Sequence, residues 1–142
     1  MCLTAGVFEK DCLANYVNVG RCAGCHTPRD KNGEEIAGLE FGGGGVFEGN
    51  VASANITPDS SGLSHYGEAM FIKTMRTGRV GGVRNLSSMM PWVYFRNMTD
   101  EDLKAIFAYL LILKPVRHRV DNAEPPTYCK RCRGRHGLGY LN

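Results

Sequence analysis

The chain has 142 residues, 43% of them hydrophobic and 22% charged, which is the composition of a folded domain and excludes a disordered segment. Its formal net charge of +3 is too small to indicate nucleic-acid binding. No apolar run approaches the length of a membrane-spanning helix, and the first residues lack the basic start and apolar core of a signal peptide.

The amino-terminal part of the chain predicts one helix followed by a long loop. Leu13, Tyr16 and Val17 recur at the spacing of one helical face. A loop is expected over residues 27–62, because four consecutive glycines at Gly42–Gly45 cannot form the interior of a stable helix or strand.

Two further helices are predicted in the second half of the chain. One covers about residues 64–77, with Ser64 as its N-cap and Gly78 as its stop. The other is the clearest in the sequence, because Thr99 and Asp102 have the spacing of a capping box and an apolar stripe follows them.

The end of the chain differs from the part before it. Pro115 ends the last predicted helix, and residues 116–142 show no periodicity, which predicts an extended tail. We therefore expect a single domain over residues 1–142, with a core at about 10–114 and a C-terminal extension at 115–142.

The motif with the clearest chemical meaning is Cys-x-x-Cys-His, formed by Cys22, Cys25 and His26. Two cysteines at this spacing fit a redox dithiol or half of a zinc site. A histidine directly after them favours c-type haem attachment, in which both thiols hold the porphyrin and the imidazole binds the iron. We expect the carbonyl of Pro28 to orient that imidazole.

A haem iron that carries electrons needs a second axial ligand from a distant part of the chain, and a thioether raises its potential. Met90 is our candidate, because the following Pro91 stiffens its loop and disfavours helical geometry. The adjacent Met89 is the alternative, and His65 is a weaker one.

Several ordered motifs together resemble the class I cytochromes c. They are CAGCHTPRD from Cys22, NITPD from Asn55, MRTG from Met75, MMPW from Met89 and MTDEDLKAIFAYL from Met98. The resemblance covers roughly residues 10–114 and is greatest to monohaem modules in cytochrome subunits of membrane-linked dehydrogenases. It implies an all-α fold of three main helices around one covalent haem c, with long loops and an extended tail. It also implies thioether bonds at Cys22 and Cys25, with His26 and Met90 as axial ligands.

Three further residues are candidates for contacts with the haem. Arg29 follows His26 closely and is a candidate partner of a haem propionate, the alternative being a solvated side chain. Asn55 and Thr57 are similar candidates near the haem edge.

The function implied is electron transfer outside the cytoplasm, by a carrier and not an enzyme, between a donor and an acceptor protein. The alternatives are a haem-carrying structural subunit of a membrane-associated respiratory complex or a cytochrome filament, and a haem enzyme or sensor with an open sixth position. Basic residues crowd the end of the chain, which suggests either a solvated face or a docking patch for an acidic partner. They are Arg117, Arg119, Lys130, Arg131, Arg133 and Arg135.

Four cysteines lie outside the haem motif: Cys2, Cys12, Cys129 and Cys132. No histidine directly follows the second tail cysteine, which excludes a second c-type haem. Haem attachment takes place in oxidising compartments, so we expect these four cysteines to form disulfides, for which three pairings exist. The alternatives are free thiols and a metal site of Cys129, Cys132 and His136, with His118 as a further candidate.

Overall fold

The computed structural model describes the backbone of residues 3–4, 7–8 and 10–142, and the side chains from residue 10 onward. The predicted pairing of Cys2 lies outside these residues. None of the helices in this described part of the chain has the length and apolarity needed to cross a bilayer.

The described elements are five α-helices and three two-stranded antiparallel sheets, so the prediction of an all-α fold is correct only for the main elements. The helices are α1 (Lys10–Val19), α2 (Cys22–His26), α3 (Glu68–Thr77), α4 (Trp92–Phe95) and α5 (Asp100–Leu111). The sheets pair β1 (Leu3–Thr4) with β2 (Val7–Phe8), β3 (Arg79–Val80) with β4 (Arg84–Asn85), and β5 (Pro126–Tyr128) with β6 (Arg135–Gly137). Single 3-10 turns occupy Glu48–Asn50 and Gly139–Leu141.

The chain divides into two compact units. The helical unit consists of the chain up to Gly20 together with Tyr66–Leu110, and the loop unit consists of Arg21–His65 together with Leu111–Asn142. The haem motif and the tail (residues 115–142) therefore belong to the same unit, while α1, α3, α4 and all but the last residue of α5 belong to the other.

In the helical unit, α1 buries Leu13 and Val17, as their spacing predicts. Helix α3 begins at Glu68 and not at Ser64, whose amide donates to the Asp59 carbonyl in a turn. Gly78 ends α3 in the left-handed conformation, as expected of a C-terminal glycine.

Helix α5 begins with the predicted capping box. The Thr99 amide donates to Asp102 Oδ2 and the Asp102 amide donates to Thr99 Oγ1, each at 3.1 Å. Two orphan amides of the first turn are thereby satisfied. Further along α5, Phe107 stacks on Phe71 of α3 with ring centroids 5.0 Å apart, so the apolar stripe of α5 packs against α3.

Long-range hydrogen bonds and a small apolar cluster hold the loop unit together. The cluster consists of Leu39, Val116, Cys129 and Cys132, with Ile36 packed against it. Asn122 of the tail exchanges two hydrogen bonds with the backbone of Ala52, at 2.8 and 2.9 Å. The tail is thus a folded segment with its own hairpin, β5 and β6, and not merely an extended strand.

Candidate haem site

The Cys-x-x-Cys-His segment forms helix α2, and its two cysteines are free thiols. Cys22 and Cys25 lie three positions apart, so their side chains project from the same side of the helix. Burial raises the pKa of the Cys22 thiol to about 11, so this thiol is protonated at neutral pH. Cys25 is exposed. Two free thiols on one helix face are therefore available for covalent attachment.

A backbone carbonyl orients the His26 ring. Its Nδ1 lies 2.6 Å from the carbonyl oxygen of Ala54. Because a carbonyl only accepts, Nδ1 carries the proton and Nε2 keeps the lone pair that a metal requires. Burial lowers the pKa of His26, which favours the neutral imidazole. The carbonyl predicted for this role, that of Pro28, instead accepts from the Ile36 amide at 3.0 Å, and that prediction was wrong.

Met90 lies in a turn of the helical unit. Its amide donates to the Ser87 carbonyl at 3.0 Å, and its own carbonyl accepts from the Trp92 amide at 2.8 Å. Met90 is half-buried and lines a cleft of about 480 Å³ with Gly78 and Trp92. Met89 is 47% exposed and does not line that cleft. The local geometry favours Met90 over Met89 as a thioether donor, and its ligation of iron stays a prediction.

Arg29, the candidate for a haem propionate contact, and His65, the weaker candidate for an iron ligand, lie at the surface. Arg29 forms an ion pair with Glu35 at 2.7 Å and donates to the Gly33 carbonyl at 2.8 Å, so its guanidinium is engaged within its own loop. An exposed pair of this kind contributes little stability. Its contact with a haem propionate stays a prediction. His65, the weaker alternative ligand, is exposed.

Asn55 and Thr57 are buried and bind the tail. Asn55 donates through Nδ2 to the Val116 carbonyl at 2.6 Å, and the Val116 amide donates to Thr57 Oγ1 at 3.1 Å. The two side chains are also joined to each other, because the Thr57 hydroxyl donates to Asn55 Oδ1 at 2.8 Å. Their position near a haem edge stays a prediction, whereas their contacts with the tail are directly observed.

The structure corrects the predicted disulfides of the tail. Cys129 and Cys132 are free thiols that face two buried imidazoles, those of His118 and His136. The four ligand atoms lie within 4.8 Å of one another, which is the alternative that the sequence left open. Cys12, by contrast, is disulfide-bonded. The cysteine spacing indicated this cluster, and His118, which lies before the hairpin, was its further candidate.

The residues of the first motif fit a covalently bound haem. Two free thiols one helical turn apart precede an imidazole whose Nε2 lone pair is available, which matches a porphyrin held by two thioethers and one nitrogen ligand.

Comparison with known proteins agrees with this fit. A family model described as Cytochrome c matches residues 7–114. Over 103 residues the chain is 36% identical to one of the subunits of nicotinate dehydrogenase from Pseudomonas putida, covering 69% of this chain and 8% of that protein. It is 35% identical over 99 residues to the fructose dehydrogenase cytochrome subunit of Gluconobacter japonicus, covering 67% of this chain and 19% of that protein. It is 33% identical over 108 residues to the cytochrome c subunit of a quinone alcohol dehydrogenase from Gluconacetobacter polyoxogenes, covering 72% of this chain and 22% of that protein.

The chain thus spans between 8% and 22% of the length of these three relatives, and it is similar to one segment of each. The family match covers most of the chain and includes the Cys-x-x-Cys-His motif and Met90. The chain therefore belongs to the cytochrome c family, whose members are electron carriers that bind haem c covalently.

Proposed function

We propose that this chain transfers single electrons on one haem c attached through Cys22 and Cys25. His26 and Met90 are the proposed axial ligands. When bound, the haem supplies an iron that alternates between the ferric and ferrous states. The protein holds this iron, sets its potential and leaves a route for electrons to partner proteins.

The orientation of His26 is the observation that carries the proposal. The 2.6 Å contact between Nδ1 and the Ala54 carbonyl fixes the tautomer with Nε2 free, and carbonyl partners of this kind orient metal-bound histidines. Met90, held in a turn before Pro91, supplies the soft second ligand. If His26 and Met90 both bind the iron, no coordination position would remain for a substrate, which favours a carrier over a haem enzyme or sensor.

We further propose that the chain works outside the cytoplasm as part of a larger dehydrogenase or respiratory assembly. The relatives include cytochrome subunits of fructose and quinone alcohol dehydrogenases. The disulfide at Cys12 supports an oxidising compartment. The exposed basic residues of the tail, among them Arg117 and Arg135, suit an acidic partner surface. A structural place in a complex or filament is compatible with electron transfer.

Mass spectrometry and redox titration of the purified protein test the proposal. We expect the mass of the chain plus one haem that survives denaturation, and a one-electron transition in the titration. Colourless protein with the mass of the polypeptide alone would overturn the proposal.

Two further measurements separate the alternatives. Carbon monoxide should not bind the reduced protein at neutral pH, because both axial positions are filled, and ready binding would favour an enzyme or a sensor. Light scattering distinguishes a free carrier from a filament subunit.

A further inference from the structure

The tail holds a second buried cluster of metal-binding side chains that the proposed electron transfer does not use. It consists of His118, Cys129, Cys132 and His136. We propose that these four residues bind one structural zinc ion.

The four ligand atoms are already almost as close to one another as the ligands of a bound zinc ion. They lie within 4.8 Å of one another, and each residue is at most 4% exposed. In a tetrahedral zinc complex with bonds of about 2.0 to 2.3 Å, neighbouring ligand atoms are about 3.3 to 3.8 Å apart. Side-chain movements of about 1 to 1.5 Å therefore complete the sphere.

The His136 imidazole is the most direct sign that a metal ion binds here. Its Nε2 is buried and has no hydrogen-bond partner, while its Nδ1 lies 3.0 Å from the carbonyl of Gly137. An unpartnered buried polar atom costs about 1 to 3 kcal/mol, so such atoms are rare in folded proteins. Because the carbonyl fixes the proton on Nδ1, Nε2 presents a lone pair to the cluster.

His118 is oriented in the same way. Its Nδ1 lies 2.9 Å from the carbonyl of Gly42, and its Nε2 lies 3.3 Å from Cys129 Sγ. A carbonyl partner on one nitrogen, with the other directed at the metal, is the usual arrangement of a metal-bound histidine.

The turn between β5 and β6 presents both sulfurs. The Cys129 amide donates to the Gly134 carbonyl, and the Arg133 amide donates to the Cys129 carbonyl, each at 2.9 Å. The Gly134 amide is hydrogen-bonded to Cys132. These bonds hold the Cys-x-x-Cys segment in a compact turn, in which the two sulfurs lie beside each other.

The geometry indicates one metal ion and not a two-iron cluster. Where two cysteines and two histidines hold a [2Fe–2S] cluster, the sulfurs bind one iron and the nitrogens bind the other. That arrangement separates the nitrogens from the sulfurs, whereas here His118 Nε2 lies 3.3 Å from Cys129 Sγ. Four buried ligands also leave no open position, which is typical of a structural and not a catalytic site.

Zinc is the ion that this donor set selects. Tetrahedral sites with two sulfur and two nitrogen ligands are characteristic of zinc. Binding replaces the two thiol protons of Cys129 and Cys132, which are released to solvent, and the resulting site is electrically neutral. No oxidant is needed, whereas closing a disulfide between the same two sulfurs would require one that accepts two electrons.

The proposed zinc would fasten the tail to the glycine loop beside the haem motif. His118 binds the Gly42 carbonyl, and the next amide, that of Gly43, donates to the His26 carbonyl at 2.7 Å. A side chain at Gly44 would lie 2.5 Å from His118 Cε1, so the loop fits closely against the imidazole. Bound zinc would therefore stabilise the glycine loop, whose Gly43 amide is hydrogen-bonded to the His26 carbonyl.

Metal analysis and zinc K-edge absorption of the full haem-containing protein test this inference. We expect about one zinc per chain, with two sulfur neighbours at about 2.3 Å and two nitrogen neighbours at about 2.0 Å. The zinc edge is independent of the haem iron, so the result does not depend on the proposed electron transfer.

Variants identify the ligands. His136→Ala and Cys129→Ser should lose the zinc while keeping the haem spectrum. His65→Ala, which changes an exposed histidine, is the control and should retain the zinc. If the two cluster variants do not fold, the measurements on the wild type still decide.

Three results would overturn the proposal. One is wild-type protein that contains no zinc and takes none up when zinc is supplied. Another is peptide mapping that finds Cys129 and Cys132 joined in a disulfide. The third is bound zinc that His136→Ala does not remove from the folded protein.

Discussion

Asn55 donates a hydrogen bond of 2.6 Å through Nδ2 to the Val116 carbonyl, although 61 positions separate the two residues. Its Oδ1 accepts from the Thr57 amide at 2.9 Å. Asn55 directly follows Ala54, whose carbonyl accepts from His26. The adjacent residues Ala54 and Asn55 thus hold both the imidazole of the haem motif and the tail.

We expect Asn55→Ala to lower the free energy of unfolding by about 2 to 4 kcal/mol, because the Val116 carbonyl and the Thr57 amide would lose a buried partner. Asn97→Ala, at an exposed position, is the control and should cost less than about 0.5 kcal/mol. Urea unfolding of the haem-containing protein measures both. Equal effects of the two substitutions would contradict the role assigned to Asn55.

A second prediction concerns Gly78, which has a positive φ of 68° at the end of α3. A Cβ at this position would lie 2.4 Å from the ring of Trp92. Gly82 has a φ of 77° but nothing within 4 Å of such an atom, so it isolates the backbone effect. We expect Gly82→Ala to cost about 1 kcal/mol and Gly78→Ala about 3 kcal/mol, since only the latter adds a steric clash.

Thermal unfolding and the fluorescence of the single tryptophan measure this difference. Gly78→Ala should alter the emission of Trp92, because the ring must move to admit the new methyl group. If both substitutions have the same cost and leave the emission unchanged, the close approach between Gly78 and Trp92 does not constrain the fold.

Local patterns were sufficient to predict the main helices. The burial of Leu13 and Val17, the stop at Gly78 and the reciprocal bonds of Thr99 and Asp102 all depend on residues at most four positions apart. Such contacts follow from helical periodicity and capping alone.

Contacts between distant segments were not predictable in this way. The carbonyl that orients His26 comes from Ala54, 28 positions away, and nothing in the sequence marks a backbone oxygen for this role. The sequence offered His118 only as a further candidate beside Cys129 and Cys132, because the tail lacks a periodic pattern that would predict its hairpin or the contact of His118 with it. Propensity and spacing determine local structure, whereas such pairings follow from the packing of the whole unit.

A third prediction concerns the pH dependence of the contact between α1 and α5. Tyr16 donates a hydrogen bond to Asp102. Hydrogen bonds from Thr99, and from Tyr16, lower the pKa of Asp102 below its ordinary 3.8, and the bond to Asp102 raises the pKa of Tyr16 above its ordinary 10.0. Asp102 therefore contributes stability above its unfolded pKa and loses this contribution as the pH falls through its lower folded pKa. Tyr16 contributes below its unfolded pKa and loses this contribution as the pH rises through its higher folded pKa.

We accordingly expect the stability lost in Tyr16→Phe to be constant between about pH 5 and pH 9 and to shrink on both sides. Tyr94→Phe is the control, because Tyr94 is 76% exposed, and it should leave the stability unchanged. Unfolding by urea across the pH range measures both variants. A loss in Tyr16→Phe that is the same at acidic, neutral and alkaline pH would argue against the paired titration.

The last prediction separates Met90 from Met89 as the iron ligand. Axial ligands set haem potentials over a range of about 0.8 V, so loss of the thioether in Met90→Ala should lower the potential by an amount on the order of 0.1 V. The weak long-wavelength absorption that a thioether gives to ferric haem should also disappear. Met89→Ala changes a side chain of the same type at the adjacent, more exposed position and should leave both properties unchanged. Circular dichroism shows whether each variant is folded. If Met89→Ala shifts the potential and Met90→Ala does not, the ligand is Met89, and the cleft formed by Met90 and Trp92 serves packing alone.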